Sequence, residues 1–185
     1  MRRSILALLA IIVLIFFGII IFGGSNKTSR PVPTIPKTLP DYAETNAEVS
    51  LTTDGRINGD DVHRAIRITV SREQRSIDII QGYEGYIIKN ESFANSQTAY
   101  DVFLRSLNVA GFTRERKATT TDERGVCPLG NRYIFELNNT GGSDMRRWST
   151  SCSGLGTFGG KVNLIRTLFQ RQITDYNKFI NGVNL

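Results

Sequence analysis

The chain has one histidine and two cysteines in 185 residues, and both shortages narrow its chemistry. One imidazole cannot build a multi-histidine metal centre. A cysteine nucleophile would have His63 as its sole imidazole partner. Two cysteines allow one bridge, not a dense disulfide framework. Proline is scarce outside one stretch: four of the five lie at Pro31, Pro33, Pro36 and Pro40. Acidic residues are missing from the first forty positions, which hold Arg2, Arg3, Lys27, Arg30 and Lys37. Setting those five aside leaves 18 basic against 17 acidic residues, so the net charge of +6 belongs mainly to the N-terminal segment. A nucleic-acid binder carries its basic excess on the folded domain, and no nucleic-acid partner is expected.

What the chain has in abundance comes first. Ile5 to Phe22 is an uncharged run of eighteen residues, apolar except for Gly18. As a helix it would span roughly 27 Å, close to the hydrocarbon thickness of a bilayer. The expectation is a single transmembrane anchor within residues 1–24, with the lipid bilayer as its partner. Cleavage at Gly23 to Ser25 is the alternative, but a signal peptide needs an apolar core of only ~7–15 residues. Arg2 and Arg3 abut the run and favour a cytoplasmic N-terminus. Residues 25–40 follow as a Pro-rich linker, in which fixed φ and missing N–H donors block helix and central strand.

Residues 41–185 are long enough for one extracytoplasmic domain with a real core. Period-two patterning marks strands at 47–53, 62–71, 76–81 and 86–89, an antiparallel meander. Apolar residues at Tyr100, Phe103, Leu104, Leu107 and Ala110 share one helical face, with Asn95 or Ser96 as cap and Gly111 as stop. A second helix is expected from Lys161 through Ile173. Residues 113–124 are polar and aperiodic and read as an exposed loop. Between the helices, 132–137 and 145–151 flank an Asn/Gly turn and form a hairpin. The fold class is therefore α+β: an antiparallel sheet of five to seven strands with two packed helices.

Cys127 and Cys152 fall nearly opposite each other in that hairpin, so a disulfide is expected. Such a bond persists in oxidising compartments, which agrees with a cell-membrane protein whose C-terminal domain is extracytoplasmic. Acidic residues crowd 41–62 and basic ones 144–171; the two stretches are expected to meet as complementary surfaces.

Other signals are weaker. Asp54, Asp60 and Asp61 suggest a calcium loop, but the alternating ligands and terminal Glu of an EF-hand are missing; a polar hairpin loop is expected, without metal. His63 beside those acids could act as base or ligand, but an ordinary strand start is the plainer reading. Gly154, Gly156 and Gly159 match a dinucleotide fingerprint in spacing, yet not in a βαβ context, and no cofactor is expected. Arg146, Arg147 and Trp148 are the first candidates for a binding surface, since Trp and Arg dominate contact energetics. The expected function is a membrane-anchored envelope binding module for a protein or polymer. The alternatives are an envelope hydrolase using carboxylates and an accessory subunit of a membrane complex.

Overall fold

The computed structural model describes residues 38–140, 142–152 and 156–185. The expected anchor at Ile5–Phe22 and nearly all of the linker lie outside the described residues. Among the described residues no helix is long and apolar enough to cross a membrane.

The fold begins with a single 3-10 turn, Leu39–Tyr42. Asp41 closes it by accepting from Thr38 N–H (2.6 Å) and Oγ1 (2.8 Å), and Leu39 is buried in the core. Six strands follow: β1 Glu48–Asp54, β2 Arg64–Ser71, β3 Gln74–Gln81, β4 Tyr86–Ala94, β5 Arg132–Asn139 and β6 Gly142–Thr150. They form one antiparallel sheet in the order β4-β3-β2-β1-β5-β6. The meander occupies one side, and the late hairpin joins β1, not β4. That leaves β1 central, with its five middle residues buried.

Helix α1, Gln97–Ala110, starts where Ser96 Oγ accepts from Ala99 N–H and ends at Gly111 in the left-handed region (φ 81°). Helix α2 spans Val162–Gln170, and a short turn α3 spans Tyr176–Phe179. The second helix is shorter than its periodicity implies: Ile173 turns inward after α2 has ended, and Asp175 takes a positive φ. The apolar rows Val49–Leu51, Ile66–Ile68–Val70, Ile77–Ile79 and Phe135–Leu137 face α1 and α2. Phe103 meets Phe169 edge-on with ring centroids 5.2 Å apart, and Phe135 stacks on Phe158 at 3.9 Å. Aromatic pairs of this kind add ~0.5–1.5 kcal/mol beyond area burial.

The Gly-rich segment before α2 has a packing purpose. A Cβ on Gly156 would lie 2.3 Å from the Trp148 carbonyl oxygen, and one on Gly160 would lie 2.4 Å from that of Gly111. These glycines let the segment press against β6 and the end of α1; Gly154 lies outside the described residues. Gly159 of the same fingerprint is likewise pressed close: a Cβ there would lie 2.8 Å from the Glu115 carbonyl oxygen.

Candidate functional site

Because side chains alternate along a strand, the residues between the core rows point to the opposite face of the sheet. One row crosses it in register: Trp148, Ile134, Thr52, Arg67, Asp78 and Asn90. The neighbouring row reads Arg146, Glu136, Ser50, Thr69, Ser76 and Ser92. The face thus mixes polar side chains with apolar ones, Trp148 and Ile134 at the β5–β6 end and the buried Ala65 and Ile80 on β2 and β3.

The segment between α1 and β5 covers the apolar end. Trp148 is 1% exposed, and its Nε1–H donates to the Thr121 carbonyl at 2.9 Å. The Arg116 guanidinium donates twice to the Gly156 carbonyl, at 3.1 and 3.2 Å. Glu123 is buried and takes two hydrogen bonds from Arg146. The aperiodic stretch 113–124 is therefore only partly an exposed loop: its backbone and charges are tied down over a second, smaller apolar cluster. The disulfide Cys127–Cys152 secures its far end to the residues after β6, with Cα atoms 5.8 Å apart. The bond forms as expected, but it joins a turn to the strand end and does not sit as a facing pair within the ladder, whose register is Arg132↔Thr150.

These contacts show how the three residues of the expected binding surface are held. Trp148 is a covered side chain, not an exposed one. Arg146 is engaged by Glu123 and by Glu136 (3.2 Å), and Arg147 by Glu115 (3.1 Å) and the Thr113 carbonyl. Arg146 and Arg147 of this stretch therefore pair with Glu115, Glu123 and Glu136 rather than with the acids of 41–62.

The expected polar loop between β1 and β2 is built around His63, which is 2% exposed. Its Nε2 lies 2.8 Å from Asp54 Oδ1 and its Nδ1 3.1 Å from the Arg56 carbonyl. Both ring nitrogens thus face oxygen acceptors, and the ring is held with no edge free for chemistry. Tyr83 covers it, stacked at 4.1 Å with ring planes 14° apart. Asp54 also holds the buried Arg132 through Oδ2, at 2.7 Å from Nε. Asp54 is thereby committed to His63 and Arg132, while Asp60 Oδ1 accepts from Tyr83 N–H at 2.8 Å. Asp61 remains exposed in the loop. Among the described residues no group of three His, Cys, Asp or Glu side chains is placed to hold a metal.

Between the covering segment and Tyr83 lies a cavity of about 340 Å³ on this polar face. Its charged lining comprises Arg67, Arg124, Arg146, Glu136 and Asp54. Most of these charges are already satisfied within the protein: Arg124 by Asp122, Arg146 by two glutamates, Asp54 by Arg132. Arg67 differs. Its guanidinium contacts Thr52 Oγ1 at 3.4 Å and forms no ion pair with any described residue. Asp78, beside it in the register, is hydrogen-bonded by Asn90 Nδ2. The pattern of alternation alone places Arg67 on the polar face, but nothing in the sequence announces that it lacks a carboxylate.

Four other clefts are larger: one lies between the first turn and α1, one follows the C-terminal segment along β2 to β4, one lies beside α2 and α3, and one lies around Asp122 and Arg124. The polar-face cavity is the smallest of these and the candidate of interest, because a half-buried cation without an ion pair among the described residues faces it from the middle of the sheet. Comparison with protein-family models and with curated proteins finds no match for the chain.

Proposed function

We propose that this protein is an envelope binding module, anchored by Ile5–Phe22, stood off by the Pro-rich linker, and binding a small carboxylate-bearing ligand in the polar-face cavity. The carrying observation is Arg67, a half-buried guanidinium with no ion pair among the described residues. A planar guanidinium favours carboxylates through two parallel hydrogen bonds. The remaining cavity charges are balanced, so they add no general attraction for polyanions. Glu136, on the same wall, is already paired with Arg146. The C-terminal carboxylate of a peptide is the simplest ligand of this class. The Cys127–Cys152 bond supports placement of the domain in an oxidising compartment.

The test is calorimetric titration of the full chain in detergent with short peptides bearing a free or an amidated C-terminus. The free carboxylate should bind and the amide should bind about tenfold more weakly or worse, a difference of ~1.4 kcal/mol. Arg67→Gln should remove that preference. Equal binding of both peptides, or an unchanged preference in Arg67→Gln, would overturn the assignment.

A further inference from the structure

The two edges of the sheet are treated differently. The outer edge of β6 is covered: Phe158 N–H donates to the Trp148 carbonyl at 2.9 Å, and Trp148 N–H to Thr157 Oγ1 at 3.2 Å. The outer edge of β4 is bare. No β4 backbone group bonds to any described residue outside β3. Eight of its nine residues are exposed, Ile87 and Ile88 at more than half their surface. A long bare edge is a template for pairing with another strand.

The direction of its free groups follows from one bond. Asn95 N–H donates to the Glu73 carbonyl at 2.8 Å, continuing the Ala94↔Gln74 register. Alternation along an antiparallel ladder then turns the N–H and C=O of residues 89, 91 and 93 toward β3 and those of 90 and 92 outward.

We infer that this edge pairs with the same edge of a second copy of the chain, antiparallel about a two-fold axis at Asn90. In that register the two Asn90 residues exchange backbone hydrogen bonds. Lys89 then faces Glu91 of the second copy, twice by symmetry, as an isologous interface requires. The flanking positions are the closely spaced pairs of such a ladder, where side chains meet best. Both side chains lie on the helix-bearing face, since Lys89 is opposite Ile79 and Glu91 opposite Ile77. Lys89 is already held there, with Nζ 2.7 Å from the Phe179 carbonyl and 4.1 Å from its ring centroid. Glu91 makes no ion pair among the described residues.

Charge selects this register over its neighbours. Centring the axis on Lys89 or on Glu91 would set like charges face to face, which is destabilising. A charged edge ordinarily keeps copies apart. Here two opposite charges spaced two residues apart repel in the adjacent symmetric registers and attract in this one. The proposed contact joins two six-stranded sheets into one and does not involve Arg67 or the cavity.

The experiment uses the full-length chain in membranes. Its two native cysteines are bonded to each other, so Asn90→Cys introduces the sole free thiol. A short bismaleimide should convert Asn90→Cys to a covalent dimer and leave Val109→Cys, on the exposed side of α1, monomeric. Adding Glu91→Lys should cut the Asn90→Cys dimer about fivefold or more. Adding Lys89→Glu to that variant should restore it, because the pair is then reversed in both copies. Equal cross-linking at positions 90 and 109 would overturn the inference. So would indifference to Glu91→Lys, or a charge reversal that fails to restore the dimer while Trp148 emission shows the fold intact.

Discussion

Arg132 and Asp54 stand directly opposite each other across β5 and β1, and the Asp54 carboxylate bridges the Arg132 guanidinium to the His63 ring. Arg132 is 2% exposed, and its second terminal nitrogen donates to the Gly55 carbonyl at 2.5 Å. One carboxylate therefore fixes the end of the central strand, the start of β5 and the loop between β1 and β2. Removing one partner leaves a buried charge uncompensated, which costs ~3–5 kcal/mol. Asp54→Asn should lower the urea midpoint accordingly. Replacing both partners, as Asp54→Leu with Arg132→Met, should cost clearly less than the two single changes added together. Strict additivity in this double-mutant cycle would show that the pair is not coupled.

The elements were legible where one face is buried and the other is not. The rows Ile66–Ile68–Val70 and Ile77–Ile79, and the helical stripe from Tyr100 to Ala110, carry their period in the sequence and lie where it places them. Strand order was not legible, because the polar Ser50 and Thr52 of β1 are buried in the fold yet give no hint in the sequence of a second neighbour. The covering segment was also hidden. Its contacts are backbone carbonyls at Thr121 and Gly156 and a lone Glu123–Arg146 pair, none of which leaves a periodic mark. Trp148 is a contact candidate in the sequence because Trp and Arg dominate contact energetics, and its cover by Thr121 leaves no mark there. Arg67 looked like any surface arginine, since the absence of a carboxylate partner exists only in three dimensions.

Tyr100 ties α1 to the strand-leading turn. Its hydroxyl donates to the Ala47 carbonyl at 2.9 Å in a fully buried setting, and burial pushes its ionisation well above the ordinary range. Tyr100→Phe keeps the ring and leaves that carbonyl unsatisfied, at ~1–3 kcal/mol. Chemical denaturation should show the loss with an unchanged m-value. A neutral outcome would mean that water reaches the Ala47 carbonyl.

Glu123 gives the covering segment a pH dependence. The hydrogen bonds from Arg146 hold its carboxyl below the ordinary value of 4.5, against the opposing effect of burial. A depressed folded value means that the stabilisation is complete above the unfolded value and is lost as pH falls through the folded one. Glu123→Gln should therefore destabilise the protein at neutral pH, and its gap from the wild type should shrink below about pH 4.5. Melting temperatures measured from neutral pH down to about pH 3, across the range in which carboxylates titrate, would check this. A gap independent of pH would remove the ion pair as its cause.

The disulfide and Trp148 report on the same lid. Cys127 holds the far end of the segment whose Thr121 carbonyl caps the indole. Reducing the bond frees a loop that the chain-entropy model values at ~2–4 kcal/mol. The chain's single tryptophan makes the local consequence visible: its emission should shift to the red before the β-sheet signal is lost. Coincident loss of both would show that the lid and sheet unfold as one unit. On intact cells the same cysteines test the compartment, using a membrane-impermeant thiol reagent. Labelling after reduction, and not before, fits a bonded pair outside the membrane. Labelling only after lysis, with no reductant needed, would place a reduced domain inside and remove the support for an envelope role.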